Sequence, residues 1–294
     1  MPGRARTFGQ HHRLLKCSDK HACRYKSVFW PERPCWSSIS FWHKASPERV
    51  TLGMFRSRSS RSTFTDKCMQ PIHDYYDKLA KDYDRDRFDN SYGRYIDQME
   101  RQILRRWLGG TAPAGVLDVG CGTGRLLEFA MSGVDASRAM LDVAASKFPD
   151  RLLRQARLPD LGAPLARYDA AICFHVFMHL DQASIAQSLA AIAGQVRAGG
   201  VLIVDIPSRH RRAMNRRRPS QSGWHGDTAA TGADMARWAG PAWRIAERRG
   251  ILFFPIHRLP SFARPLLRGL DRLIGCTWLA RYASYHVYRL ERQP

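Results

Sequence analysis

The stretch VLDVGCGTGRLLEF, Val116 to Phe129, decides the fold. A short apolar run ends in a turn containing Gly120, Gly122 and Gly124, and apolar residues resume at helical spacing directly afterwards. Glycine suits such a turn because it accepts positive φ and leaves the backbone bare, so that a ligand can lie against it. The spacing discriminates between ligands. A dinucleotide turn has the form G-x-G-x-x-G, which from Gly120 demands glycine at position 125, where the chain has Arg125. The glycines fall instead at alternate positions, and Asp118, two places before the first, completes D-x-G-x-G-x-G. A carboxylate there favours the cationic amino end of a ligand and opposes a pyrophosphate. Asp135 closes the next apolar run in GVDAS, where an acid can accept hydrogen bonds from both ribose hydroxyls. Asp135 or Ser137 could serve simply as an N-cap for the helix that follows, but two carboxylates flanking one glycine turn favour the ligand reading.

Outward from this turn, short β-type runs alternate with helical ones. Strands are expected at 115–120, 132–135, 168–176, 200–206 and 251–256, with helices near 124–131, 137–147 and 182–197. Such alternation implies a parallel sheet covered on both faces. The run ASYHVYRLE, 283–291, alternates and is polar on one side, which suits an antiparallel strand near the sheet edge. Ahead of the sheet, YGRYIDQMERQILRRWL (Tyr92 to Leu108) places Tyr95, Met99, Ile103 and Leu104 on one helical face, closed by Gly109 and Gly110.

The four stretches VLDVGCGTGRLLEF, GVDASRAMLDVA, YDAAICFHVFMHLD and VRAGGVLIVDIP together resemble the class I S-adenosylmethionine-dependent methyltransferase superfamily, over roughly residues 72 to 294. The nearer likeness is to its small-molecule members of the ubiquinone and menaquinone methyltransferase type. The resemblance implies an α/β, Rossmann-like methyltransferase fold: a mostly parallel seven-stranded sheet with helices on both faces and one antiparallel strand. It implies S-adenosyl-L-methionine as the cofactor and no metal. By the same resemblance Asp118, Gly120, Cys121, Gly122 and Gly124 would line the methionine and ribose part, and Asp135 would hold the ribose. Ala136 and Met140 would sit near the adenine, and Phe174 and His175 beside the cofactor after the fourth strand. The opening YYDKLAKDYDRDRF is similar to the lid of small-molecule methyltransferases, in which Tyr83 and Arg94 would close over the methionine end. The chain departs from the pattern twice. Only eleven steps separate Gly124 from Asp135, close to the minimum for a parallel crossover, and RLLRQARLPDL (Arg151 to Leu161) lacks the acid that usually meets the adenine amino group, Asp160 coming too late.

Methyl transfer from a sulfonium needs in-line placement of the acceptor more than acid or base help, because the donor departs neutral. A hydroxyl or enol acceptor must still lose a proton, and His175 and His179 in CFHVFMHLD are the candidate bases, the alternative being that one packs on the cofactor and the other orders the loop. Enzymes that methylate base amines carry an acid or amide, prolines and an aromatic after the fourth strand, where this chain reads FHVF; Asp205-Ile206-Pro207-Ser208 and Pro34-Cys35 imitate nucleic-acid motifs at the wrong places. The expected acceptor is therefore a small molecule, apolar or lipid-linked, with no specific nucleic acid. An RNA or protein methyltransferase, or a degenerate protein that binds the cofactor without catalysis, are the alternatives.

The formal net charge is +21 over 294 residues, but it is unevenly spread. Residues 1–68 carry 14 basic and 4 acidic side chains, residues 69–196 carry 15 and 16, and residues 197–294 carry 18 and 6. The segment with the glycine turn is neutral, which argues against phosphate binding there. Residues 1–68 lack sustained periodicity and hold five of the eight lysines, so they are read as a disordered basic tail, either upstream of a true start at Met69 or a presequence, ahead of a methyltransferase domain over 69–294. Cys17, Cys23 and Cys35 with His11, His12 and His21 match no zinc spacing. In the basic C-terminal third, SRHRRAMNRRRP (208–219) reads as an exposed Arg-rich loop, and FARPLLRGLDRLIGCTWLARY (262–282) alternates arginine with apolar residues at helical spacing, which suits an anionic membrane surface. The expected location is cytoplasmic and peripheral to a membrane.

Overall fold

The computed structural model describes residues 74–163, 167–215, 226–260, 262 and 264–294. The tail call on residues 1–68 lies outside the described residues. The lead-in comprises helical residues 74–79, α1 (Tyr83–Phe88) and α2 (Ser91–Trp107). Asn90 starts α2 by accepting from the Tyr92 and Gly93 N–H groups, and Gly109 and Gly110, at φ 57° and 88°, end its neighbourhood in the conformation glycine favours.

The strands follow as β1 (Val116–Val119), β2 (Ser132–Asp135), β3 (Leu152–Gln155), β4 (Tyr168–Cys173), β5 (Val196–Pro207), β6 (Trp243–Ile251) and β7 (Tyr285–Arg292). They form one seven-stranded sheet in the order β3-β2-β1-β4-β5-β7-β6. β7 runs antiparallel between β5 and β6, while the pairings among β1 to β5 are parallel. The period-two alternation of a strand divides the core. Val116, Ala170, Ile172, Val201 and Ile203 face the side covered by Tyr95, Met99, Ile103 and Leu104 of α2. Leu117, Val119, Ala171, Leu202 and Val204 face the other side, against Ile185, Leu189 and Ile192 of α4 (Gln182–Gln195) and Met235 and Trp238 of α6 (Gly232–Ala239). Between these come α3 (Arg138–Lys147) after β2 and α5 (Arg209–Asn215) after β5, and α7 (Arg264–Ile274) precedes β7.

Three expectations are corrected. Residues 122–128 are turns and not a helix: Gly124 N donates to Cys121 O, Leu127 N to Gly124 O and Phe129 N to Leu126 O, each closing over three residues. Eleven steps are too few for a helix plus a return, so the crossover is made of tight turns that still bury Leu126, Leu127 and Ala130. The strand expected at 251–256 is displaced to Trp243–Ile251. It is an edge strand whose Arg244, Arg248 and Glu247 disguise it, whereas the apolar run after it turns at Leu252, at φ 60°. β3 supplies the seventh strand, for which the sequence analysis gives no position; it is the opposite edge, and its Leu152 is exposed. Finally, the Arg-rich segment expected as a loop at 208–219 begins as α5; among its described residues Arg209 is exposed and pairs with Asp234 at 3.0 Å, and Arg212 donates to Gly226 O at 2.6 Å, while 216–219 lie outside the described residues.

Candidate active site

The glycine turn stands at the C-terminal ends of the parallel strands, where an open sheet receives ligands. Gly120 and Gly122 have φ of 77° and 53°. A Cβ at Gly120 would stand 2.3 Å from Val176 Cγ2, whereas a Cβ at Gly122 would meet nothing within 4 Å. The Gly122 side of the turn is therefore a bare strip of backbone facing an open cleft. Gly120, Gly122, Asp135, Ala136, Met140, Phe174, His175, His179 and Tyr83 all border that cleft.

Asp135 stands on its wall. One carboxylate oxygen accepts from Gly122 N and the other from Ser137 N, both at 2.8 Å, so the acid is aimed by the turn it belongs to. Burial pushes its pKa up, against those backbone N–H groups. The N-cap role falls to Ser137, whose hydroxyl accepts from Met140 N at 3.1 Å. The cleft's lining also includes the apolar Ala136, Met140, Ala156, Leu158 and Leu161, with Arg157 among them, a surface on which a flat base could rest. Asp160 turns back to Gly162 N at 3.0 Å.

At the other end a smaller recess of about 350 Å³ is bordered by Asp118, Cys121, Thr123, Arg125 and Tyr83. Burial first, and the nearby Asp135 charge, push Asp118 to about 7 despite Arg125. A buried carboxylate held this far up is receptive to an ammonium group, which would restore its charge. The helical turn α1 crosses the recess, pinned by Asp84, which accepts from Thr123 Oγ1 at 2.6 Å and pairs with Lys147.

Two expected residues take other roles. Arg94 is exposed and bound to Asp89, through both its carboxylate and its carbonyl oxygen, and does not reach the cleft. Gly124 makes no wall either; its missing Cβ clears Leu127, Phe148 and Ala144, each within 3.1 to 3.3 Å of where that atom would be, so it serves packing.

A third chamber of about 450 Å³ adjoins both spaces and is lined by Tyr76, Tyr83, Phe88, Tyr92, Met178 and Tyr285, with Arg87, Ile96, His175 and His179. His175, at φ 60°, is clamped there. Its backbone N–H donates to Asp205 Oδ1 at 2.6 Å, and its ring nitrogens lie 2.9 Å from Glu100 and 3.4 Å from Asp205. Glu100 also meets Arg125 at 2.8 Å, and Arg125 reaches Asp97. Burial opposes the imidazolium, but the two carboxylates outweigh it and raise the His175 pKa. Both ring nitrogens are turned toward carboxylates, which directs the imidazole away from an acceptor's proton. Glu100, His175 and Asp205 place ligand atoms within 4.8 Å of one another, and the Arg125 guanidinium already stands 2.8 Å from Glu100. The histidine better placed to take a proton is His179, 2.9 Å from the Tyr76 hydroxyl.

Glu100, Arg125, Asp205 and Tyr76 were not foreseen. A signal existed for two: Glu100 interrupts the apolar stripe of α2, and Arg125 sits in the turn where a dinucleotide protein has glycine.

Residues 117–204 match the family model described as a methyltransferase domain. The structure superposes on magnesium protoporphyrin IX methyltransferase from Synechocystis, crystallised with S-adenosylhomocysteine, with a TM-score of 0.55 and 18% identity, covering 76% of this chain and 99% of that one. The fold is that of the class I methyltransferases. A Thermotoga maritima S-adenosylmethionine-dependent methyltransferase gives 0.54 at 15% identity, covering 76% and 100%. In sequence, an uncharacterized protein of Methanocaldococcus jannaschii is 31% identical over 137 residues, 46% of this chain and 51% of that protein. The chain thus spans about half the length of the curated relatives it matches. The methyltransferase fold accounts for the strand order, with the antiparallel β7 inserted beside the edge, and for the glycine turn after β1.

Proposed function

We propose that the chain is an S-adenosylmethionine-dependent methyltransferase acting on a small, largely apolar acceptor. The observation that carries the reading is the bare Gly122 backbone facing a cleft that the aimed Asp135 carboxylate lines. The cofactor fits these residues: ribose hydroxyls at Asp135, the base on the surface beside Met140 and Leu158, and the ammonium group at Asp118. S-adenosylmethionine would supply the electrophilic methyl group. The chain's own contribution is placement, and the aromatic chamber holds the acceptor beside it while α1 excludes water. Its tyrosines and Phe88 favour a flat or greasy molecule, with His179 in reach of an acceptor proton. The methyltransferase domain match supports methyl transfer, and the aromatic lining of the chamber supports the acceptor class.

Calorimetry tests it. The full chain binds S-adenosylmethionine and S-adenosylhomocysteine, and Asp135→Ala loses about a hundredfold or more in affinity, as removal of a charged acceptor from two hydroxyls requires. No binding by the unaltered chain would sink the proposal.

A further inference from the structure

Exposed apolar side chains cluster on one short segment. Phe262, Leu266, Leu270, Leu273 and Trp278 are 85, 79, 42, 69 and 65% exposed, and they make up five of the eight large apolar residues exposed among the described residues. Leu266, Leu270 and Leu273 follow the spacing i, i+4, i+7, so they form one stripe along α7. The stripe points outward because the helix is locked from within. Asp271, 1% exposed, accepts from Tyr95 Oη at 3.0 Å, from Phe254 N at 2.9 Å and from Leu252 N at 3.3 Å. Leu267, on the same inner side, packs against the core. Rolling the leucines inward would bury none of them without expelling that carboxylate, so their exposure is fixed by the fold.

We propose that this stripe is a docking surface for the anionic surface of a lipid bilayer. Charge complementarity chooses the occupant. Arg258, Arg272 and Arg281 are exposed around the stripe, Arg264 and Arg268 are half-buried beside it, and the single acid between residues 258 and 282 is the inward Asp271. A leucine ridge edged by arginines and capped by Trp278, on which Arg281 stacks at 4.9 Å, has the composition of a helix lying in the headgroup plane. A second copy would bring arginine against arginine, and the segment has no aromatic ladder for stacked bases. The same helix meets α2 through Tyr95, which Arg268 overlies at 5.4 Å, and α2 supplies Tyr92 and Ile96 to the acceptor chamber. The surface stands independently of the methyltransferase reading, and the two together would put the acceptor chamber beside the lipid.

Sedimentation of the full chain with vesicles tests the assignment, using phosphatidylcholine alone and phosphatidylcholine mixed with phosphatidylglycerol. The chain binds the mixed vesicles and leaves the neutral ones. Leu266→Ser with Leu270→Ser, and separately Arg272→Glu with Arg281→Glu, each lower partitioning by about tenfold or more, with unchanged melting temperature and unchanged S-adenosylmethionine affinity. Absence of binding to mixed vesicles overturns the proposal. So does binding that survives the leucine pair, a concentration-dependent dimer that the leucine pair dissolves, or leucine-dependent retention on RNA.

Discussion

At the scale of single residues, the sharpest consequence concerns Asp118. Its carboxyl is raised from the ordinary 3.8 to about 7 by burial, with Asp135 adding to the shift. In the ligand-free protein it is therefore protonated below pH 7, and the stability it contributes is lost as pH rises through that value. An ammonium group bound beside it reverses the preference, since only the charged form attracts the ligand. S-adenosylmethionine affinity should fall by about tenfold per pH unit below pH 7, with release of close to one proton on binding; calorimetry in buffers of different ionisation enthalpy measures both. Asp118→Asn should flatten the profile, and a profile equally steep in that variant would place the titration elsewhere. Asp118 and Asp135 were legible because each stands at a strand followed by a turn, a position readable from the local sequence. The His175 clamp was not, because its partners Glu100 and Asp205 lie 75 positions before and 30 positions after it. Only the fold brings α2 and β5 against the end of β4.

At the scale of elements, the buried strands were readable and the edges were not. β1, β2 and β4 are apolar runs covered on both faces, so their residues advertise burial. β3 and β6 are the sheet's two edges, where one side of each strand meets water and polar residues intrude. The turns at 122–128 misled for a different reason. Their leucines carry helical spacing, but the chain must return to β2 at Ser132, and the distance available overrides the local preference. Gly124 is the hinge of that economy, with φ of 87° and packed neighbours on three sides. Gly124→Ala should lower unfolding free energy by about 1 to 3 kcal/mol through backbone strain and crowding, while leaving S-adenosylmethionine affinity nearly unchanged. Gly122→Val should do the reverse where the ligand is concerned, filling the bare strip and cutting affinity by more than about tenfold. Chemical denaturation and calorimetry on the two variants separate packing from binding, and equal binding losses would show that the turn acts as one unit.

At the scale of the whole molecule, charge and chemistry are segregated. The glycine turn, Asp135 and the aromatic chamber all draw on residues 69–196, which are close to neutral, with Tyr285 as a guest from β7. The excess of +12 lies in residues 197–294, and five of the arginines there, Arg258, Arg264, Arg268, Arg272 and Arg281, belong to the segment around α7. A chain with this much positive charge will hold nucleic acid non-specifically at low salt whatever its substrate. Retention on RNA is thus a property of the net charge and turnover a property of the cleft, and ionic strength divides them. Raising salt from about 50 to 200 mM should weaken RNA retention by roughly a thousandfold if six or more phosphates are contacted. The ion pairs that set the cleft's shape are buried, as at Glu100, or short-ranged, so over the same range S-adenosylmethionine affinity should move by less than about twofold. An acceptor that carries phosphates along the basic surface would instead give a KM rising as steeply as RNA retention falls. That outcome would move the acceptor from the aromatic chamber to the arginines.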